Sequence, residues 1–238
     1  MFMLYPDIII LAGGFGTRLK EEIIDIPKAM APINGKPFLE YLLNYIQKSG
    51  FQKVIISTGY LSKSIENYFK DKYRSIEIEY SIEEEPLGTG GAVKLALKKV
   101  STPYFIVMNG DTLFRINLQD FFQNHVENLA NLTIALRNVD DASRFGQVEL
   151  NDHGVISAFK EKSSDAQSGL INGGIYIIKT KYFRKQQVPG KFSFEKDWLQ
   201  NLAGSGDIFG RVFDDYFIDI GIPEDYKRAQ AEFNEFND

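Results

Sequence analysis

Ile8-Ile9-Ile10-Leu11-Ala12-Gly13-Gly14-Phe15-Gly16-Thr17-Arg18-Leu19 is an apolar run that breaks into a glycine-rich turn. Residues 8–11 read as a first buried strand. Three glycines leave the backbone bare where that strand ends, so its N–H groups can close on the oxygens of a phosphate. Arg18 adds a fork-shaped, permanently charged donor. The dinucleotide fingerprint needs a further glycine at position 19, where Leu19 stands, and no phosphate loop ending in Gly-Lys-Ser/Thr occurs. Cations return in Pro27-Lys28-Ala29-Met30-Ala31-Pro32 and Gly35-Lys36-Pro37. Singly, these pieces are a tight turn and solvated charges; together behind one strand they read as a polyanion site.

Outward from the turn, strand and helix alternate. Residues 38–46 space their apolar side chains as a helix, with Pro37 in its first turn and Gly50 as its stop. Residues 53–58 read as a buried strand, 62–68 as a helix, 76–80 as a strand with one face to the core and 89–100 as a helix. A buried strand over 104–108 ends at Asn109-Gly110-Asp111. This rhythm predicts an α/β fold with a doubly wound, mostly parallel central sheet. Such sheets bind ligands beyond the carboxyl ends of their strands, so Gly13-Gly14 and Asn109-Gly110-Asp111 should face one cleft. Strands follow at 132–136, 147–150, 155–159 and 174–178, a β-rich portion expected to be antiparallel. Helices are expected over 118–126, 194–202 and 223–236.

The 238 residues suffice for one sizeable core, and a single domain over 1–238 is expected. Lys and Arg number 27 against 32 Asp and Glu, a net charge of −5 that disfavours a nucleic-acid partner. The absence of cysteine excludes disulfides and thiolate metal sites, and two histidines, His125 and His153, cannot alone form a usual zinc site. Any metal falls to carboxylates, and neither histidine is expected to be catalytic. No stretch approaches the ~20 apolar residues that cross a bilayer, and no basic leader precedes the first apolar run, so a cytoplasmic protein without a membrane partner is expected. A homo-oligomer is compatible with all of this.

Asp111 closes an apolar strand after a glycine, and Asp219 stands similarly in Phe217-Ile218-Asp219-Ile220-Gly221. Either alone reads equally well as a turn or cap residue. Two carboxylates with substrate phosphates are nevertheless enough to hold magnesium. Glu83-Glu84-Glu85-Pro86-Leu87-Gly88-Thr89-Gly90-Gly91-Ala92 joins a strand to a glycine-rich helix start with free N–H groups. Three consecutive acids are otherwise a solvated loop.

The turn Leu11-Ala12-Gly13-Gly14-Phe15-Gly16-Thr17-Arg18-Leu19, with the later Pro27-Lys28 and Gly35-Lys36-Pro37, resembles the opening pattern of the sugar-1-phosphate nucleotidylyltransferases. Within that family, Pro27-Lys28-Ala29-Met30-Ala31-Pro32 and the run from Gly35 to Leu42 are most similar to the D-glycero-D-manno-heptose 1-phosphate guanylyltransferase branch. One departure is Glu21-Glu22-Ile23, where the family usually has Pro-Leu-Thr after Arg-Leu. The resemblance implies a Rossmann-like nucleotidyltransferase fold with an antiparallel sugar-binding portion. It implies that Arg18, Lys28 and Asp111 are catalytic and that Asp111 and Asp219 bind Mg2+. It assigns Leu11, Gly13, Gly14, Gly16, Thr17, Glu83, Glu85, Gly88, Thr89 and Gly110 to the nucleotide. In the family the segment holding Glu83 and Glu85 reads the base, and a carboxylate there suits the adjacent N1–H and N2–H2 donors of guanine. Phe159-Lys160-Glu161-Lys162 resembles the family's Phe-x-Glu-Lys, Asn172-Gly173-Gly174-Ile175-Tyr176 its Asn-x-Gly-x-Tyr, and Phe145-Gly146 its sugar-facing turn. Glu161, Lys162, Asn172, Tyr176, Gly146 and Asn109 are thereby assigned to the sugar phosphate.

The expected activity is GMP transfer from GTP to a sugar 1-phosphate, giving a GDP-heptose and pyrophosphate for surface polysaccharide synthesis. Rivals are transfer to mannose or glucose 1-phosphate from GTP, UTP or dTTP, a glycosyltransferase, and a non-catalytic sensor of nucleotide sugars.

Overall fold

A computed structural model describes residues 5–14, 26–59, 61–160 and 168–236. In chain order the elements are β1 (Asp7–Leu11), a 3-10 turn over Lys28–Met30, β2 (Pro32–Ile33), β3 (Lys36–Pro37), α1 (Phe38–Lys48), β4 (Lys53–Thr58), α2 (Ser62–Phe69), β5 (Lys72–Tyr73), β6 (Ile76–Ile82) and α3 (Gly88–Ala96). There follow β7 (Tyr104–Asn109), β8 (Thr112–Phe114), α4 (Leu118–Glu127), β9 (Leu132–Val139), β10 (Gln147–Leu150), β11 (Ile156–Lys160), β12 (Gly169–Lys179) and α5 (Thr180–Arg184). A π-helical turn over Phe194–Leu199 runs into α6 (Gln200–Leu202), and β13 (Ile208–Phe213), β14 (Phe217–Asp219) and α7 (Pro223–Glu232) complete the order.

The centre of the main sheet is the parallel set β6-β4-β1-β7, as the alternating pattern predicts. β4, β1 and β7 are buried on both faces because their apolar residues serve two cores in alternation, while β6 buries Ile76 and Ile78 on one face and exposes Glu77 on the other. Ile8 and Ile10 pack with helices α1, α2, α4 and α7, while Ile9 packs on the opposite face with Val93 and Ala96 of α3, Phe183 and Trp198. Met108 and Val107 of β7 divide the same way.

The β-rich portion continues this sheet through β12, which lies antiparallel to β7 and β9. β12 begins at Gly169, ahead of the expected 174. Its register against β9 slips between Asn172 and Tyr176, where Gly174 takes φ +76°. The bulge lets one edge of a single strand serve two partners: β10 at Ile171 and β7 from Ile175 onward. Not all of this portion is antiparallel, since β13 runs parallel to β9.

Two small antiparallel pairs position the chemistry. β2 and β3 are joined by Asn34-Gly35, both at positive φ (48° and 80°), the backbone a two-residue hairpin requires. Pro37 therefore ends β3 and caps α1 rather than entering its first turn. α7 clasps this hairpin: Tyr226 Oη and Gln230 Nε2 both donate to the Pro32 carbonyl at 2.7 Å. β8 and β14 form the second pair, with Asp219 opposite Thr112.

Candidate active site

Lys28, Asp111 and Asp219 meet although they are far apart in sequence. Pro27 sets the entry to the 3-10 turn that begins with Lys28, and Ala29 is buried behind it. The Lys28 ammonium contacts the Asp111 carboxylate and lies 3.6 Å from Asp219 Oδ1. Asp111 sits in the turn between β7 and β8, and the antiparallel β8–β14 pair carries Asp219 to its side. Two further bonds lock that geometry: Ile220 N–H donates to the Asp111 carbonyl at 3.0 Å, and Gly221 N–H donates to Asp219 Oδ1 at 2.7 Å. A Cβ on Gly221 would stand 2.8 Å from Asp219 Oδ1 and 2.9 Å from Lys28 Nζ, so a side chain there would push those two groups out of place. Burial, and then the negative charge of Asp111, raise the pKa of Asp219, while Lys28 opposes the shift. The Lys28 ammonium offsets the two neighbouring carboxylates in this half-buried site.

A cavity of about 720 Å3 opens beside this cluster, within the range of small-molecule sites. Its wall crosses the carboxyl ends of the parallel strands: Leu11, Gly13 and Gly14 after β1, Ser57 on β4, Glu83 after β6, Asn109 and Asp111 at β7. The expectation that the Gly13-Gly14 turn and Asn109-Gly110-Asp111 face one cleft therefore holds. Among the described residues nothing lies within 4 Å of where a Gly14 Cβ would stand, and Gly14 lines the cavity. Gly13 is constrained, since a Cβ would lie 3.2 Å from Glu83 Oε1.

Glu83, Glu84 and Glu85 all line the cavity, but Glu83 alone of the three is partly buried. Its Oε2 accepts the Leu87 N–H at 2.9 Å, while Oε1 lies beside Gly13. Burial raises its pKa and the Leu87 N–H opposes that rise. Gly88 and Thr89 reach the cavity as well. Their neighbours Gly90 and Gly91 have a packing reason: a Cβ on Gly90 would meet the Phe192 ring at 2.2 Å and one on Gly91 the Gly190 carbonyl at 2.4 Å. Phe194 N–H donates to Thr89 Oγ1 at 2.8 Å, tying the segment to α3.

Other residues singled out from the sequence have structural partners. Gly110 N–H is spent on the Leu11 carbonyl at 2.9 Å, sealing β7 to β1. Tyr176 is completely buried, its hydroxyl 2.7 Å from Asn172 Nδ2 and 3.3 Å from Glu195 Oε1, so it orients those side chains from behind. Gly146 packs toward the Lys160 carbonyl, away from the described cavity wall. Gly16, Thr17, Arg18, Glu161 and Lys162 lie outside the described residues. Glu195 lines the cavity, accepts from Thr89 Oγ1 at 3.0 Å, and is not anticipated by the sequence reading. Phe194-Glu195-Lys196-Asp197-Trp198 looks like a helix with a solvated charged face.

The sequence profile of the nucleotidyl transferase family matches residues 7–235, and the chain belongs to that family. It is 46% identical over 230 residues to the D-glycero-alpha-D-manno-heptose 1-phosphate guanylyltransferase of Aneurinibacillus thermoaerophilus, covering 97% of this chain and 99% of the relative. The enzyme of the same name from Campylobacter jejuni is 47% identical over 218 residues, with 92% and 96% covered. Among solved structures, HddC from Yersinia pseudotuberculosis superimposes with a TM-score of 0.86 at 40% identity, covering 96% of this chain and 100% of that one. The same protein complexed with GMP-PN gives 0.85.

Proposed function

We propose that the protein transfers GMP from GTP to D-glycero-α-D-manno-heptose 1-phosphate, releasing pyrophosphate and making a GDP-heptose for surface polysaccharide synthesis. The observation that carries this reading is one cavity lined at its β7 end by Asp111, whose carboxylate is joined through Lys28 to Asp219, and at its β6 end by the partly buried carboxylate of Glu83. Guanine suits Glu83 because its N1–H and N2–H2 groups are adjacent donors. Relatives 46–47% identical carry the same activity in their names.

A phosphate oxygen of the sugar phosphate attacks the α-phosphorus in line, and the bond from the α-phosphorus to the α,β-bridging oxygen breaks, so that pyrophosphate leaves with that oxygen. No protein nucleophile is needed, because the attacking phosphate is already ionised near neutrality. The protein's task is to bring two anions together and offset the charge that spreads in the transition state. Asp111 and Asp219 fit a hard cation by donor chemistry; magnesium held there would neutralise the nucleotide phosphates. Lys28, held beside the same carboxylates, would face the α-phosphate or the incoming phosphate. Gly13 and Gly14 offer backbone to the triphosphate. Arg18 is assigned to the departing pyrophosphate and Lys162 to the sugar phosphate, from the sequence.

Mass spectrometry of products from mixed GTP, UTP and dTTP with several sugar 1-phosphates tests the reading. GDP-heptose with one equivalent of pyrophosphate is expected; a uridine or thymidine product in its place would refute it.

A further inference from the structure

Three hydroxyls at the ends of β4 and β6 have no hydrogen-bond partner among the described residues: Ser57 Oγ, Thr58 Oγ1 and Ser81 Oγ. Their residues are 0%, 1% and 2% exposed, so solvent does not satisfy them. Buried polar groups without partners are rare because they forfeit hydration without replacement. Ser57 and Ser81 are register partners on parallel strands and share one face of the sheet, while Thr58 points to the other. Of the three, Ser57 alone stands on the cavity wall.

The strand order β6-β4-β1-β7 fixes what lies to each side of it. Glu83 follows β6, the glycine turn follows β1, and Asp111 follows β7. Strands ~4.8 Å apart make β6 to β7 a span on the order of 14 Å. Phosphates held between the glycine turn and Asp111 leave the base over β4, between Leu11 and Glu83. A guanine whose N1–H and N2–H2 groups face Glu83 presents its O6 on the same edge, and O6 is an acceptor that needs a donor. A serine hydroxyl supplies one.

We infer that Ser57 is a specificity residue of the base site, its hydroxyl donating to the guanine O6 while Glu83 accepts from N1–H and N2–H2. This rests on the GTP reading above. The hydroxyl is unpaired in the free protein because its partner arrives with the substrate.

Ser57→Ala and Ser81→Ala, each assayed with GTP, ITP and 6-thio-GTP, test it. ITP keeps O6 and lacks the 2-amino group, and 6-thio-GTP replaces O6 by a weakly accepting sulfur. Ser57→Ala should lower kcat/KM about tenfold for both GTP and ITP, the size of one hydrogen bond, and far less for 6-thio-GTP. Without nucleotide it should melt at or above the wild-type temperature, since an unpaired buried hydroxyl has been removed. Ser81→Ala, the same change one strand away from the cavity, should melt likewise and keep wild-type kinetics with GTP. Ser57→Cys, close in size with a weak donor, repeats the test if the alanine variant folds poorly. An unchanged kcat/KM for GTP in the Ser57 variants, or an equal loss in Ser81→Ala, overturns the inference. Wild-type preference for UTP or dTTP would instead overturn the GTP reading itself, so the two failures are distinct.

Discussion

Asp111 is the residue on which two jobs converge, as the acid paired with Lys28 and as the carboxylate on the cavity wall that Lys28 joins to Asp219. Asp111→Asn keeps the shape and removes the charge that a cation needs. It should lower kcat by about 100-fold or more, given that a metal ion supplies several kcal/mol of charge stabilisation; steady-state pyrophosphate release measures this, and a loss under about threefold would remove Asp111 from the mechanism. Glu83→Gln keeps one acceptor for the Leu87 N–H and gives up the second for the base. A hydrogen bond to a charged group contributes about 1.5–3 kcal/mol, so kcat/KM for GTP should fall at least tenfold. Equal GTP use by wild type and variant would assign base reading elsewhere. Asp111 was singled out by the resemblance, but which acid of the 83–85 run turns inward could not be told from the sequence. The run Glu83-Glu84-Glu85 offers three equal candidates, and only the fold brings one of them against Gly13.

At the scale of elements, the parallel centre was legible because strands buried on both faces are continuous apolar runs that end at glycine or polar residues. β1, β4 and β7 fall within a residue of where the pattern places them. β13 was not legible: Ile208-Phe209-Gly210-Arg211-Val212-Phe213 is interrupted by a glycine, and it is made a strand by its parallel pairing with β9. The front half of β12 was hidden for a similar reason. Asn172-Gly173-Gly174 reads as either a turn or a bulge, and only the pairing with β9 shows that the chain continues through a bulge. The hairpin that delivers Lys28 to the carboxylates depends on Asn34-Gly35, a local signal, and on α7, whose clasp spans nearly two hundred residues of sequence. Gly110 is the element-level test. A Cβ there would lie 2.5 Å from the Leu11 carbonyl oxygen, backbone that cannot swing aside. Gly110→Ala should therefore cost about 1–3 kcal/mol and lower the melting temperature by about 2–10 °C. Gly14→Ala meets nothing within 4 Å and should melt as wild type. Identical melting of the Gly110 variant and wild type would mean that the β1–β7 seam is looser than described.

For the whole molecule, the two cores on either side of the sheet set the stability, and one of them buries an ionisable group. His125 on α4 is fully buried, its Nδ1 2.7 Å from Thr133 Oγ1 and its Nε2 without a partner. Burial, with a smaller contribution from the Lys179 charge, pushes its pKa down from 6.5 to about 4. The unfolded chain therefore takes up this proton first. Stability from this group is intact above pH 6.5, declines as pH falls toward about 4, and is level below that; the loss amounts to about 3 kcal/mol. Denaturant melts of wild type and His125→Gln across pH 4–7 should show the wild type losing more, and parallel curves would contradict this. Among the described residues no helix is long and apolar enough to cross a membrane. At this scale too the molecule assembles its proposed chemistry, since Lys28, Asp111 and Asp219 come from the first, middle and last parts of the chain.

That convergence is tested most directly by the rate of pyrophosphate release from GTP and heptose 1-phosphate as magnesium is titrated, in wild type and in Asp219→Asn. The account predicts no turnover after chelation, saturable activation in wild type, and a much higher magnesium requirement in the variant. Full activity in the presence of chelator, or the same magnesium dependence in both proteins, would contradict it.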